Sequence, residues 1–440
     1  MLSRMYFKIV LVIIPVLLIG LGCSEDDNNN TVAPQVEKSQ IRVIHASYDA
    51  PGVDVQVDGT VAISNLVYGE SSGYAEVNEG TRQIVVTPAG ATMPEVISAQ
   101  VPVQGNKEYT VLAVNSLSNI EPILVEDVRT PVSNKAKVRF IHASPDAPAV
   151  DIKLNSGTGA TVFSNVAFKD IEDYVQVDAA SYRFVVTAAG ATDEVLVFDP
   201  IAVQNNTVYT VVAFGTLDNN DNYPFFVRVF VDNNAGNASV DLSAALADVL
   251  VTHASPDAPG VDLLVDNLVV NSSALTFPNN TGYLSVAAGT RNIKVNASGT
   301  STTVIEANLT LGADNNYSVF AVNTLTNIEP LVFADDLTAP ASGNAHARFI
   351  HLSPDAPAVD ITLTDGTVVF GNIAFKEGTD FTPLPAASYD LQVRVAGTST
   401  VVLNLPAIAL QDGKIYTVFA KGLVSGTGEN GLGAEIIANN

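Results

Sequence analysis

A ten-residue motif occurs four times in this chain, and no other feature limits its fold as tightly. His45-Ala46-Ser47-Tyr48-Asp49-Ala50-Pro51-Gly52-Val53-Asp54 returns as His142-Ala143-Ser144-Pro145-Asp146-Ala147-Pro148-Ala149-Val150-Asp151, and again over 253–262 and 351–360. Successive motif histidines lie 97, 111 and 98 residues apart, so residues 40–440 divide into four units of about 100 residues, a common domain size. Unit boundaries follow at 40–131, 132–235, 236–342 and 343–440.

A second order lies above the first. Ser-Asn-Ile-Glu-Pro at 118–122 matches Thr-Asn-Ile-Glu-Pro at 326–330, and Phe-Ser-Asn-Val-Ala-Phe-Lys at 163–169 matches Phe-Gly-Asn-Ile-Ala-Phe-Lys at 370–376. A two-unit cassette that was itself duplicated accounts for both matches, which arranges the units as two pairs. Residues 232–243, between the cassettes, are rich in Asn, Gly and Ala and read as a hinge.

Within a unit the pattern is strand, turn, strand. Unit 1 predicts strands at 41–46, 53–58, 61–66, 73–77, 82–88, 95–103, 109–115 and 123–128. Asp-Gly, Glu-Gly, Ala-Gly and Gly-Asn stand between these runs, and such dipeptides take up turn geometry. Runs such as Ile84-Val85-Val86 are β-branched, and no amphipathic helical stretch of useful length follows the N-terminal region. The expected fold is all-β: four tandem immunoglobulin-like β-sandwich units. Tyr109, Tyr209, Tyr317 and Tyr416 each open a late strand after a polar turn, the place of a tyrosine corner in Greek-key sandwiches. That reading makes them structural pins.

The motif also concentrates chemistry. Its candidate residues are His45, Asp49 and Asp54 in unit 1, then His142, Ser144, Asp146 and Asp151 in unit 2. Units 3 and 4 offer His253, Ser255, Asp257 and Asp262, and His351, Ser353, Asp355 and Asp360. The prolines end the preceding strand, because they lack the amide donor that a ladder needs. The expected role is a hydrogen-bonded corner, with the imidazole tied to the serine or an aspartate and the first aspartate capping backbone amides. A speculative ligand site is the alternative. One histidine and no cysteine per unit fall short of a zinc ligand set. Calcium is the least strained metal choice because oxygen ligands abound, although the spacing fits no EF-hand loop. No catalytic residue, metal site or cofactor is otherwise expected. A calcium-dependent binding protein is the second functional reading, and a hydrolase centred on the motif is a distant third.

The N-terminus says where such units are displayed. Arg4 and Lys8 precede a 14-residue apolar run, Ile9–Gly22, and then Cys23, the chain's one cysteine. A bilayer-spanning helix needs about 20 residues, so residues 1–22 read as a cleaved signal. Leu18-Ile19-Gly20-Leu21-Gly22-Cys23 resembles the lipobox of bacterial lipoproteins, in which the cysteine becomes diacylglycerylated; Gly20 stands where leucine is usual. Residues 23–39 form an acidic, Asn-rich tether, and its Glu25-Asp26-Asp27 run resembles surface-export signals of Bacteroidetes-like lipoproteins. The expected place is therefore the bacterial cell envelope, on the outer membrane and surface-exposed, anchored to the membrane through Cys23.

Without residues 1–22 the chain has 19 basic and 46 acidic side chains, a net charge of −27. That balance excludes nucleic acid, whose recognition requires a positive footprint. There is no tryptophan for an aromatic sugar platform, although tyrosines are present; a surface protein or a glycan is the expected kind of ligand. The His-Ala-Ser-Pro-Asp-Ala-Pro-x-Val-Asp repeats, the later Tyr-Thr-Val strand and the Asn-Ile-Glu-Pro segment together resemble a domain-of-unknown-function family of bacterial and archaeal surface proteins. The resemblance covers nearly all of residues 40–440, as two family-length domains of two half-units each. It implies no activity, ligand or catalytic residue. Unit 1 departs from it at Tyr48 and unit 4 at Leu352.

Overall fold

The computed structural model describes residues 36–217, 223–234 and 236–440. The signal, Cys23 and nearly all of the tether lie outside the described residues. The described chain is all-β, in four tandem units; its helical turns are short 3-10 segments.

Unit 1 sets the plan. Its strands are β1 (Lys38–Ala46), β2 (Val53–Val57), β3 (Thr60–Leu66), β4 (Ala75–Asn78), β5 (Gly80–Pro88), β6 (Ile97–Val103), β7 (Glu108–Val114) and β8 (Glu121–Asp127). One sheet runs β4-β1-β7-β8 and the other β3-β2-β5-β6. Ile41, Val43, Val53, Val55, Ile84, Val86 and Val111 fill the space between them, the alternate residues that face inward on a pleated strand. The central pair β1–β7 is parallel, from Gln40 opposite Glu108 to Ala46 opposite Val114. The same parallel pair recurs in each of the other units.

The β1–β7 pair is buried on both faces, so its sequences are nearly continuous apolar runs rather than alternating ones. Its outward side chains Ile44, Ala46, Leu112 and Val114 pack on Ile141, Ala143, Val212, Phe214 and Phe230 of unit 2. Units 3 and 4 dock in the same way through Leu250, Phe320, Val322, Ile350, Leu352 and Phe419. The two pairs inferred from the duplicated segments are thus pairs of sandwiches held sheet face to sheet face.

Buried charge crosses each of these interfaces. Arg42 of unit 1 meets Asp232 of unit 2 at 2.7 Å, and Arg139 of unit 2 reaches back to Asp127 of unit 1. Thr110 and Thr210 stand between them, each donating to its own unit's aspartate at 2.6 Å and accepting from its own unit's arginine. In the second pair Arg348 meets Asp335 at 2.7 Å, but the reciprocal ion pair is missing. Leu250 occupies the strand position of Arg42, and Asn439 that of Asp232. Both partners have changed together.

Residues 232–243 do not form a hinge. Asp232 is the buried carboxylate just described, Asn237 donates to the Ser71 carbonyl of unit 1 at 2.7 Å, and Ser239–Asp241 pairs with Phe226–Val231. The last of these also moves the edge of unit 2 past residue 235. What reads as linker composition is the closing strand of unit 2, docked onto unit 1. The chain then passes to unit 3 through further backbone bonds, Asp199 N–H to Ser243 and Ala245 N–H to Val197, each 2.8 Å.

Candidate functional site

Each motif histidine stands at the end of the first strand of its unit, or one residue before it in unit 1, and is almost wholly buried. His45 Nε2 lies 3.0 Å from the Pro51 carbonyl oxygen, six residues on; His253 and Pro259, and His351 and Pro357, repeat this at 3.0 Å. In unit 2 the Pro148 carbonyl likewise favours a proton on the His142 ring. A carbonyl only accepts, so Nε2 carries the proton and donates, which makes the ring a neutral staple across the turn. Burial holds all four rings below the ordinary histidine pKa, partly offset by the bond to proline. In unit 4 the Ser353 amide donates to Nδ1 at 3.3 Å. In the other three units Nδ1 has no hydrogen-bond partner among the described residues. An aromatic ring meets each of the four imidazoles edge-on: Tyr68, Phe140, Phe277 and Phe375, at 6.3–6.5 Å.

The serines are buried as well. Ser144 donates to the Gly215 carbonyl and Ser353 to that of Gly422, both at 2.7 Å, while the Ser47 and Ser255 hydroxyls have no partner among the described residues. Gly215 and Gly422 have φ of +83° and +76°, in the left-handed region, and a Cβ on either would collide with backbone at about 2 Å. Asn115 and Asn323 follow the same strand in units 1 and 3 at +75° and +76°, which asparagine tolerates better than other residues.

The first aspartate of the motif reaches across to the loop after the parallel strand. Asp49 accepts from the Leu117 amide, Asp146 from Leu217, Asp257 from Leu325 and Asp355 from Val424, the last three at 2.8 Å. In units 1 and 3 the accepted amide opens the short 3-10 turn of the Asn-Ile-Glu-Pro segment, Leu117–Asn119 and Leu325–Asn327.

The second aspartate is a two-handed clamp. Asp54 accepts from Asn65 and Gly90 amides, Asp151 from Asn165 and Gly190, and Asp360 from Asn372 and Gly397, all at 2.7–2.9 Å. Asp262 takes the Gly299 amide and the Ser298 hydroxyl, each at 2.9 Å. Those amides hold the carboxyls of Asp54 and Asp151 below the usual aspartate pKa. The tyrosines close the far end: the Tyr109, Tyr209, Tyr317 and Tyr416 hydroxyls accept from an amide five residues upstream, at 2.9–3.3 Å.

The structure therefore brings histidine, serine and first aspartate to one corner of each unit and sets the second aspartate one strand away. Histidine Nε2 bonds to proline rather than to the serine hydroxyl or an aspartate that the sequence suggested, because the turn folds its own carbonyl back over the ring; serine meets the ring in unit 4, through its amide. Among the described residues no three His, Cys, Asp or Glu side chains gather as a metal cluster. Sequence reasoning missed the buried arginines. Their signal was available: Arg42, Arg139 and Arg348 each stand three residues before the motif histidine, inside an apolar strand.

With this geometry in view, the comparison with known families is decisive. The model described as "Domain of unknown function (DUF4397)" matches residues 39–153, 136–243, 247–362 and 358–439. The chain belongs to this family. The four family matches correspond to the four sandwiches, so each unit carries its own match and the expectation of two family-length domains of two half-units is corrected. No curated protein matches the chain. Among solved structures it is similar to "The Bacillus anthracis TIE protein", at 10% identity and a TM-score of 0.19, over 66% of this chain and 50% of that one. The chain spans half the length of that protein, and a likeness at this level carries no argument.

Proposed function

We propose that this protein is a lipid-anchored envelope component that displays four β-sandwich units on the cell surface for adhesion, scaffolding or ligand capture, without catalysis. The observation that carries the reading is how the motif spends its polar groups. The second aspartates direct both carboxylate oxygens at backbone amides or a hydroxyl, the first aspartates cap a loop amide, and the histidines staple a turn. Such groups stabilise a module that is repeated for display. The signal-like N-terminus, Cys23 and the acidic tether support placement at the envelope, because a cysteine with two or more acyl chains anchors stably. A surface protein or a glycan is the kind of partner that suits it.

Proteinase K added to intact cells that express the protein tests the display. The expected result is loss of the full-length band while a periplasmic marker survives. Protection in intact cells, with digestion after lysis, would place the units inside the envelope and contradict surface display.

A further inference from the structure

Unit 2 differs from the others in one respect that bears on ligand capture. In unit 1 the hairpin β5–β6 is one continuous ladder, from Gly80 opposite Val103 to Val86 opposite Ile97. The corresponding hairpin of unit 2 is split. Ala180–Tyr182 pairs with Ile201–Val203, and Phe184–Ala188 pairs separately with Glu194–Val197. Pro200 stands in the gap and has no amide to continue the ladder. A cavity of about 650 Å³ opens between the sheets of unit 2 and runs out to unit 3, whereas the comparable space is about 370 Å³ in unit 1, about 40 Å³ in unit 3 and about 210 Å³ in unit 4.

The wall is apolar: Phe140, Phe163, Phe184, Phe198, Phe225 and Leu196 are among its side chains. Its border is charged and comes from the next unit, where Asp266, Arg291, Lys294 and Glu306 continue the lining. Arg291 pairs with Asp266 at 3.1 Å and Lys294 with Glu306 at 3.3 Å. Arg291 is also only 9% exposed, and its Nε–H has no acceptor among the described residues.

We infer that unit 2 binds a fatty acid, with the acyl chain between its sheets and the carboxylate at Arg291 and Lys294 of unit 3. The volume falls within the range of about 300–1,000 Å³ typical of small-molecule sites. A methylene needs about as much room as a water, ~30 Å³, so a chain of about twelve carbons fills roughly half of the space. Apolar walls of this extent exclude ordered water, which needs two to four polar partners. The positive side chains at the border, Arg291 and Lys294, favour an anionic head over an alcohol. The inference goes beyond the display role and holds wherever the protein resides.

The test uses residues 36–440, which contain every strand described, and dodecanoate below its micellar concentration, followed by calorimetry and thermal melting. Saturable binding at one dodecanoate per chain and a raised melting temperature are expected. Val186→Phe, which fills the cavity, should weaken binding at least tenfold, while Val393→Phe at the equivalent place in unit 4 should leave it unchanged. Lys294→Gln, a change at the border that spares the core, should weaken dodecanoate at least threefold and keep the unliganded melting temperature. Absence of both heat and melting shift overturns the inference, as does full binding by a folded Val186→Phe chain. Dodecanol binding as tightly as dodecanoate overturns the assignment of a carboxylate head.

Discussion

At the scale of single residues, the motif histidine is a buried neutral staple, and this has consequences for stability. Replacing His351 by alanine removes the bond to Pro357 and leaves a void where the ring was buried. The expected loss is about 2–4 kcal/mol, from a lost hydrogen bond plus a cavity, read as a lower melting temperature for unit 4. A variant with unchanged melting would contradict the staple. The pH dependence has a definite sign. A histidine whose folded pKa is depressed binds fewer protons folded than unfolded, so its stabilisation is present above the unfolded value of about 6.5 and is lost as pH falls below it. Four rings titrate this way, and calorimetry should find melting temperature falling between pH 7 and pH 5. Asp54 and Asp151 act lower. Their stabilisation is present above the unfolded aspartate value of about 3.9 and disappears as pH falls through their depressed folded pKa. A melting temperature that stays flat to pH 5 would show that the rings are not buried neutral.

At the scale of elements, the interface between paired sheets carries the sharpest prediction. Removing one partner of a buried ion pair costs about 3–5 kcal/mol, because the other charge is left uncompensated, while replacing both is often near neutral. Asp232→Asn alone should therefore destabilise unit docking strongly. Arg42→Leu combined with Asp232→Asn, the residues that stand at Leu250 and Asn439 in the second pair, should recover more than half of that loss. A double-mutant cycle by thermal melting measures it, and additive losses would contradict the coupling. This interface also marks what sequence made legible. The eight strands of unit 1 were readable, because Asp58-Gly59, Glu79-Gly80 and Gly105-Asn106 punctuate β-branched runs with turn residues. The pairing of β1 with β7 was not, since parallel partners some 70 residues apart leave no local pattern. Nor was the role of Asp232. A lone aspartate beside Asn233 and Asn234 looks like a loop until Arg42, 190 residues away, is set against it. At the motif, the periodicity placed His142 on the inward face, but which carbonyl its ring would meet depended on how Pro145 to Pro148 turn.

At the scale of the whole molecule, two docked pairs follow one another, and unit 2 touches unit 3 through Arg183–Asp314 at 2.6 Å and a small cluster of Val185, Val197, Ala245 and Ala288. Calcium gives a direct check on how the aspartates are used. With both oxygens of Asp54, Asp151 and Asp360 accepting hydrogen bonds, millimolar calcium should move the melting temperature by less than about 1 °C; by linkage, a ligand present at 100 times its Kd would stabilise by about 2.7 kcal/mol. A shift of several degrees would restore the calcium-dependent reading. Placement at the envelope turns on Cys23 more than on any other residue. Cells expressing the protein should be fed radiolabelled palmitate and the chain isolated by affinity capture. Label in the wild-type chain and none in Cys23→Ala, with the variant released to the soluble fraction, is the predicted result. An unlabelled wild-type chain, or a Cys23→Ala variant that stays in the membrane, would contradict the lipid anchor and with it the display of these units at the surface.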